Sequence, residues 1–301
     1  MPINARRLAL RAMLVVCSAL AAASARPAQA MNVAPAGTAA PGPCQETQGQ
    51  VIGDSLTSTV YGAAVPFDVY LPPCYDLDDM PLPVMYLLHA ATLDQTEWQA
   101  LGAATAADAL IAGGAPPFVM VMPGGDYRYD IDYAAFVLND LLPTTQGRYP
   151  VRTDEAGQTL GGISLGGYWA LRAAFQNPQV FAAVGGHSPV VDEGRPDDPW
   201  ALADTLTSTT RLPVMLDVGT YDTLRFRTQA LADRLQANGA AVTFWAGAGG
   251  HDPAYWGAHM GDYLRGYLQF LAAGTAQPAS PAPPRSRRAP TRARAGPLKC
   301  C

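Results

Sequence analysis

The chain has 301 residues, of which 49% are hydrophobic and 15% charged, and its formal net charge is −5. This balance excludes a disordered, collagen-like or coiled-coil chain. It also argues against a nucleic-acid-binding protein, because such proteins are normally net basic. The charge is unevenly spread: residues 31–272 carry ten arginines against all 25 acids, a net charge of −15, and lie between two basic ends without an acid.

The first 30 residues have the organisation of a secretory signal peptide. Three arginines precede an apolar run over residues 12–23, and the small-residue triplet Ala28-Gln29-Ala30 follows. A positive segment, a short apolar segment and an A-x-A site in this order are typical of export. The run is too short for a membrane span of about 20 residues. We expect cleavage after Ala30, or alternatively after Ala25, and an extracytoplasmic (periplasmic or extracellular) protein without a transmembrane segment.

After an Ala/Pro/Gly-rich lead-in over residues 31–49, the pattern predicts a single domain over residues 50–272. Strands are predicted over residues 51–59, 65–71, 83–89, 118–122, 159–163, 181–185, 214–218 and 242–245. Helices are predicted over residues 98–111, 133–146, 167–176, 225–237 and 255–271. An N-terminal antiparallel hairpin followed by alternating strands and helices indicates an α/β fold with a mostly parallel sheet and helices on both faces.

The pentapeptide Gly162-Ile163-Ser164-Leu165-Gly166 stands between a predicted strand and a predicted helix. A nucleophile elbow has this sequence and this context. The tight turn exposes the serine hydroxyl, and it requires neighbours that are nearly free of side chains. The sequence therefore predicts Ser164 as a nucleophile.

A serine nucleophile needs a base, and the chain offers four histidines. In this fold class the triad follows the chain order serine, acid, histidine. His251 fits, because it follows the last predicted strand in a glycine-rich loop. His89 ends an earlier strand and suits a loop-shaping role, His187 has no acid between it and Ser164 in the required order, and His259 lies inside the closing helix.

Two acids, Asp217 and Asp222, lie near the end of the predicted strand over residues 214–218. Catalytic groups of open parallel sheets come from loops at the carboxyl ends of strands. Asp222 is favoured because it lies in that loop, whereas Asp217 falls within the strand, where a structural role is expected. We expect the remaining acids of this region to lie in a solvated loop: Asp192, Asp197 and Asp198.

Acyl transfer also needs two N–H donors for the oxyanion. One is expected from Leu165, directly after the nucleophile. The second is expected from the loop after the predicted strand over residues 83–89, with Ala91 as first choice and Thr92 as the next.

The chain resembles the putative-esterase family of α/β hydrolases, which includes feruloyl and acetylxylan esterases, enterochelin esterases, S-formylglutathione hydrolases and mycolyltransferases. The matching motifs lie at residues 69–75, 83–89, 162–167, 217–222 and 250–256. The resemblance implies the α/β-hydrolase fold, a triad of Ser164, Asp222 and His251, and an oxyanion hole at Leu165 and Ala91.

Two positions depart from the family pattern, which usually has glycine where this chain has Ala90 and Cys74. Ala90 bears on the shape of the oxyanion loop. Cys74 and Cys44 flank the predicted hairpin, and an oxidising compartment favours a disulfide between them. Two unpaired thiols are the alternative.

These observations predict a secreted serine esterase that acts on neutral carboxylic esters, of the feruloyl or acetyl-sugar type, without a cofactor or metal. The same machinery could instead transfer the acyl group to a sugar hydroxyl, and a catalytically silent binding module on this fold is a third interpretation. Aromatic residues offer either a pocket lining or core packing: Trp98, Tyr127, Tyr129, Tyr168, Trp169, Tyr221 and Trp256.

The C-terminal residues 273–301 are rich in Ala, Pro and Arg, and they are predicted to be disordered. A weak electrostatic association with an anionic surface is one interpretation of this tail. A dispensable, solvated tail is the other, and Cys300-Cys301 within it has no assigned role.

Overall fold

A computed structural model of the chain describes residues 45–75, 80–127 and 130–272. The predicted signal peptide, most of the lead-in and the basic tail lie outside these residues. No helix of the described part is long and apolar enough to cross a membrane.

Eight strands form one sheet in the order β1-β2-β4-β3-β5-β6-β7-β8. The strands are β1 (Gln50–Thr57), β2 (Ala64–Leu71), β3 (Val84–Leu88), β4 (Val119–Pro123), β5 (Gln158–Ile163), β6 (Ala183–His187), β7 (Val214–Gly219) and β8 (Val242–Gly247). The pairs β1–β2 and β2–β4 are antiparallel, and all later neighbours are parallel. This arrangement is the α/β-hydrolase fold, as predicted.

Helices cover both faces of the sheet. They are α1 (Glu97–Ala100), α2 (Ala103–Ala112), α3 (Tyr133–Phe136), α4 (Leu142–Arg148), α5 (Leu165–Gln176), α6 (Pro199–Leu202), α7 (Arg225–Ala237), α8 (Pro253–Ala258) and α9 (Met260–Ala272). Strand β3 lies between two apolar layers: Val84, Tyr86 and Leu88 pack into the layer of α3, α5 and α7, and the alternating Met85 and Leu87 pack against α2 and α9. Burial on both faces explains its uninterrupted apolar sequence.

Three predicted helices differ from the observed ones. The helix predicted over residues 98–111 is divided at Gly102, whose φ of 89° interrupts it. The closing helix is likewise divided at His259. Between α3 and α4 the chain forms a π-helical segment, Val137–Leu141, which ends two residues before Pro143. A proline lacks the N–H that an α-helix needs and clashes with the preceding turn, so a widened turn accommodates it.

The Tyr267 side chain of α9 fills the space over β5 and β6. A Cβ atom at Gly161 would lie 1.7 Å from the Tyr267 hydroxyl oxygen, and one at Gly185 would lie 2.1 Å from it. The hydroxyl also lies 2.8 Å from His187 Nε2. The two glycines are therefore needed because they let this buried ring lie directly against the sheet.

We predict that Gly185→Ala destabilises the protein by about 2 kcal/mol or more, since overpacked cores lose about 1–3 kcal/mol. Gly261→Ala is the matched control, because a Cβ atom there meets no atom within 4 Å. The control should be neutral or stabilising by up to about 1 kcal/mol. Urea unfolding measures both variants, and equal stabilities would contradict the packing argument.

Candidate active site

Ser164 lies at the turn between β5 and α5 with φ 54° and ψ −115°. Positive φ is unfavourable for a residue with a side chain, so this conformation requires support from its surroundings. The Ser164 N–H donates to the His187 carbonyl at 2.9 Å, and the Ser164 carbonyl accepts from the Val190 N–H at 3.0 Å. Close packing adds to this support, since a Cβ atom at Gly162 would lie 2.3 Å from the Gly166 carbonyl carbon.

His251 joins Ser164 to Asp222. Its Nε2 atom lies 2.9 Å from Ser164 Oγ, and its Nδ1 atom lies 2.8 Å from Asp222 Oδ2. The Asp222 side chain is fully buried, whereas 31% of the His251 side chain is exposed. The structure thus brings the predicted nucleophile, base and acid into one hydrogen-bonded chain that is open to solvent at the imidazole.

The loops after β7 and β8 hold this geometry because they pack on each other. The Tyr221 N–H donates to the Gly249 carbonyl at 2.9 Å. A Cβ atom at Gly219 would lie only 2.4 Å from the same carbonyl oxygen. Asp222 is fixed further by the Leu224 N–H, which donates to its Oδ1 atom at 2.8 Å. The backbone therefore helps to orient the Asp222 carboxylate toward the His251 imidazole.

Asp217 belongs to a separate buried network. Its Oδ1 atom lies 2.6 Å from His187 Nδ1, and its Oδ2 atom accepts the hydroxyls of Tyr255 at 2.9 Å and Tyr263 at 3.0 Å. With both carboxylate oxygens engaged there, Asp217 is a structural link between the sheet and the C-terminal helices. This matches the structural role expected for a strand residue.

The loop after β3 is fixed by buried groups. The Ala90 N–H donates to Glu97 Oε2 at 2.6 Å, and His89 Nδ1 lies 2.7 Å from the Ala90 carbonyl oxygen. The Tyr127 hydroxyl donates to the His89 carbonyl at 2.6 Å. His89 is thus a loop-shaping residue, as expected. The residue with positive φ in this loop is Thr92, at 63°, so the backbone does not require glycine at position 90.

The two predicted oxyanion donors differ in surroundings. The Leu165 N–H begins α5, where helix geometry provides no intrahelical acceptor. Ala91 is exposed and directly follows Ala90. The Ala90 N–H already donates to Glu97, so it is not a candidate oxyanion donor, and the next N–H along the chain is that of Ala91.

The acidic segment before α6 was predicted to be solvated, and for Asp198 this is wrong. Asp198 is buried and accepts the Tyr168 hydroxyl at 2.5 Å and the Arg195 N–H at 2.7 Å. Asp197 forms an ion pair with the buried Arg172. The segment is held to α5 by these contacts, and Asp192 is the exposed acid of the set.

Most of the aromatic residues proposed as a pocket lining are core residues. Four of them are buried: Trp98, Tyr168, Trp169 and Trp256. Trp256 contacts the site, since its ring meets the His251 ring edge-on at 5.0 Å. Tyr127 is half-buried and stacks on His89, and Tyr221 is 84% exposed. Tyr129 lies outside the described residues.

Cys74 is disulfide-bonded and has a φ of 64°. The predicted partner, Cys44, lies outside the described residues, so the Cys44–Cys74 pairing stays a prediction.

Glu97 and Tyr127 are the residues of this site that sequence reasoning missed. Glu97 stands among polar residues, where an acid is expected to be solvated, and Tyr127 was included only as an aromatic. The sequence signal available was the position of Glu97 directly before Trp98. The Trp98 indole N–H donates to the Leu88 carbonyl at 3.1 Å, and this bond holds α1, including Glu97, against the end of β3.

The sheet order, the strained serine turn and the serine–histidine–aspartate chain are those of α/β hydrolases. Residues 58–267 match the family described as "Putative esterase", and the chain belongs to this family of carboxylic-ester hydrolases. The family resemblance of the sequence is thereby confirmed.

Solved structures share the fold at low sequence identity. A ferulic acid esterase is 21% identical, with a TM-score of 0.68 over 74% of this chain and 99% of that one. A fluorophosphonate-binding serine hydrolase of Staphylococcus aureus is 20% identical, with a TM-score of 0.65 over 73% and 99%. A ferulic acid esterase of Anaeromyces mucronatus, solved with ferulic acid, is 18% identical, with a TM-score of 0.62 over 75% and 93%.

Proposed function

We propose that this chain is a secreted serine esterase that hydrolyses carboxylic esters through an acyl-enzyme on Ser164. The observation that carries the proposal is the hydrogen-bonded chain from the buried Asp222 through His251 to Ser164 Oγ. A serine hydroxyl is a weak nucleophile, and an adjacent base that is oriented by a third group activates it.

The proposed reaction has two halves. His251 Nε2 takes the Ser164 proton as Oγ attacks the ester carbonyl, and the carbonyl oxygen becomes an oxyanion between the Leu165 and Ala91 N–H groups. The tetrahedral intermediate collapses, and the alcohol leaves with the proton from His251. Water then attacks the acyl-enzyme, gives its proton to His251, and releases the acid and free Ser164. Asp222 orients the imidazole and stabilises the imidazolium through its hydrogen bond to Nδ1.

Ser164→Ala should lower kcat for a p-nitrophenyl ester by about 10⁵–10⁶-fold, since it removes the nucleophile. Asp222→Asn should lower kcat by about 10³–10⁴-fold, because His251 loses the group that orients it. Initial rates measured with homogeneous protein test both expectations.

Asp217→Asn is the matched control. It makes the same change of carboxylate to amide, but at the aspartate that contacts His187 rather than His251. Its kcat should remain within about threefold of the parent, while its thermal midpoint falls. Activity of Ser164→Ala within a few-fold of the parent would refute the esterase mechanism, and an Asp217→Asn enzyme as inactive as Asp222→Asn would refute the assignment of the acid.

For the substrate, we infer neutral esters, of the feruloyl or acetyl-sugar type. Support comes from the net charge of −15 over residues 31–272, which repels anions. The relative solved with ferulic acid supports the hydroxycinnamoyl class.

A matched pair of p-nitrophenyl esters, the butyrate and the anionic hemisuccinate, tests the charge argument. The butyrate should have the higher kcat/KM at low ionic strength, and the difference should shrink in 0.5 M salt, where charges are screened within about 3–5 Å. A ratio of the two kcat/KM values that does not change with salt would contradict the charge argument.

Methyl ferulate and acetylated xylose then rank the acyl groups. Product analysis with a sugar acceptor separates hydrolysis from acyl transfer.

Secretion rests on the order of the arginines, the apolar run and the Ala28-Gln29-Ala30 triplet. Expressed with residues 1–30 in place in a bacterial host, the protein should be recovered outside the cytoplasm beginning at Met31, or at Arg26 for the alternative site. N-terminal sequencing reads this directly. Recovery of the uncut chain in the cytoplasm alone would contradict export.

A further inference from the structure

Glu97 is a buried acid that the proposed reaction does not use. Its side chain lies in α1 and the residue is only 6% exposed. Oε2 accepts the Ala90 N–H at 2.6 Å, and Oε1 is buried without a hydrogen-bond partner among residues 45–75, 80–127 and 130–272. A buried carboxylate with one unpaired oxygen is costly, and such a group calls for an explanation.

Two successive peptide groups of this loop are held. In the group between His89 and Ala90, the N–H donates to Glu97 Oε2. In the group between Ala90 and Ala91, the carbonyl oxygen lies 2.7 Å from His89 Nδ1. The His89 carbonyl, which shares its peptide group with the Ala90 N–H, accepts the Tyr127 hydroxyl at 2.6 Å. These bonds fix the orientation of the peptide planes that lead into Ala91.

The same loop lies directly on the first turn of α5. A Cβ atom at Gly166 would lie 2.3 Å from the His89 carbonyl oxygen and 2.6 Å from that of Leu88. The backbone that Glu97 fixes is therefore in close contact with the turn that carries Ser164 and the Leu165 N–H. A rotation of the His89–Ala90 peptide group moves the Ala90–Ala91 group that follows it, and so changes the direction of the Ala91 N–H relative to Ser164.

We propose that Glu97 is the positioning residue of the oxyanion hole: by accepting the Ala90 N–H, it turns the following N–H, of Ala91, toward the oxygen of a substrate bound to Ser164. This inference rests on the proposed esterase function. Glu97 contacts backbone rather than Ser164 or His251, so it acts through the loop. The required property is a hydrogen-bond acceptor at the position of Oε2.

Two variants of nearly equal shape isolate that acceptor. Glu97→Gln keeps an oxygen that can accept the Ala90 N–H, whereas Glu97→Met has similar length and no comparable acceptor. We expect kcat of Glu97→Met to fall about 10–100-fold with KM within threefold, because a displacement of about 1 Å in a catalytic group costs about 100-fold. Glu97→Gln should stay within about threefold of the parent.

A boronic acid provides a readout specific to the hole, since its tetrahedral adduct with Ser164 places an oxygen there. Its inhibition constant should rise in Glu97→Met by about the same factor as kcat falls, and it should stay near the parent value in Glu97→Gln. A purely structural role for Glu97 would not link these two quantities.

Thermal unfolding shows whether both Glu97 variants are folded, and the pH dependence of their midpoints follows from the burial of Glu97. Burial, with a smaller contribution from Asp94, raises the pKa of Glu97 from 4.5 to about 7, and the Ala90 N–H opposes this shift. Burial, with smaller contributions from Tyr133 and the Glu97 carboxyl, raises the pKa of Tyr127 well above its usual value. Between about pH 4.5 and pH 7 the unfolded chain releases a proton that the native chain retains, so native stability falls as pH rises through this window. Both variants lack this loss, so their midpoints relative to the parent should be higher at pH 8 than at pH 5.

The proposal would be overturned by an unchanged kcat in Glu97→Met, or by equal losses in both variants, since an acceptor is kept in only one of them. A loss of kcat in Glu97→Met with an unchanged boronic acid constant would also overturn it. Failure of the esterase function itself is distinguishable, because Ser164→Ala would then remain active whatever the Glu97 variants do.

Discussion

The site depends on a steric constraint at Ser164, whose backbone is held at positive φ where β5 turns into α5. The turn is stable because neighbouring backbone packs closely against it. Gly162 and Gly166 have no side chains to keep α5 and the β3 loop away. The constraint therefore sets the positions of three groups together: the serine hydroxyl, the first N–H of α5 and the loop that carries Ala91.

Two His–Asp pairs lie at the carboxyl ends of neighbouring strands, and their surroundings distinguish them. His187 and Asp217 are buried, and each is hydrogen-bonded to tyrosine hydroxyls as well as to the other. The polar atoms of this pair are therefore engaged within the core. His251 and Asp222 lie on loops, and the imidazole is partly exposed and reaches Ser164. The same two residue types are therefore part of the core in one pair, whereas in the other pair, which lies on loops beyond the strand ends, the imidazole contacts the Ser164 hydroxyl.

The sequence predicted the features that depend on local pattern. Continuous apolar runs located the buried strands, and the chain order of the motifs selected Ser164, Asp222 and His251. Features that depend on contacts distant in sequence were missed. Asp198 stands in a polar segment, yet it is buried through the Tyr168 hydroxyl of α5. Glu97 gives no local sign that it accepts the Ala90 N–H. The break at Gly102 and the π-helical turn before Pro143 were missed because the apolar periodicity continues across them.

The contact of Tyr267 with Gly161 and Gly185 ties the site to the last described element of the chain. Strands β5 and β6 present no side chain at these two points, so Tyr267 of α9 provides the cover there. A ribosome delivers α9 after every other helix and strand that the structure describes. A chain whose synthesis stops before α9 therefore leaves Gly161 and Gly185 of its central strands without the aromatic ring that covers them.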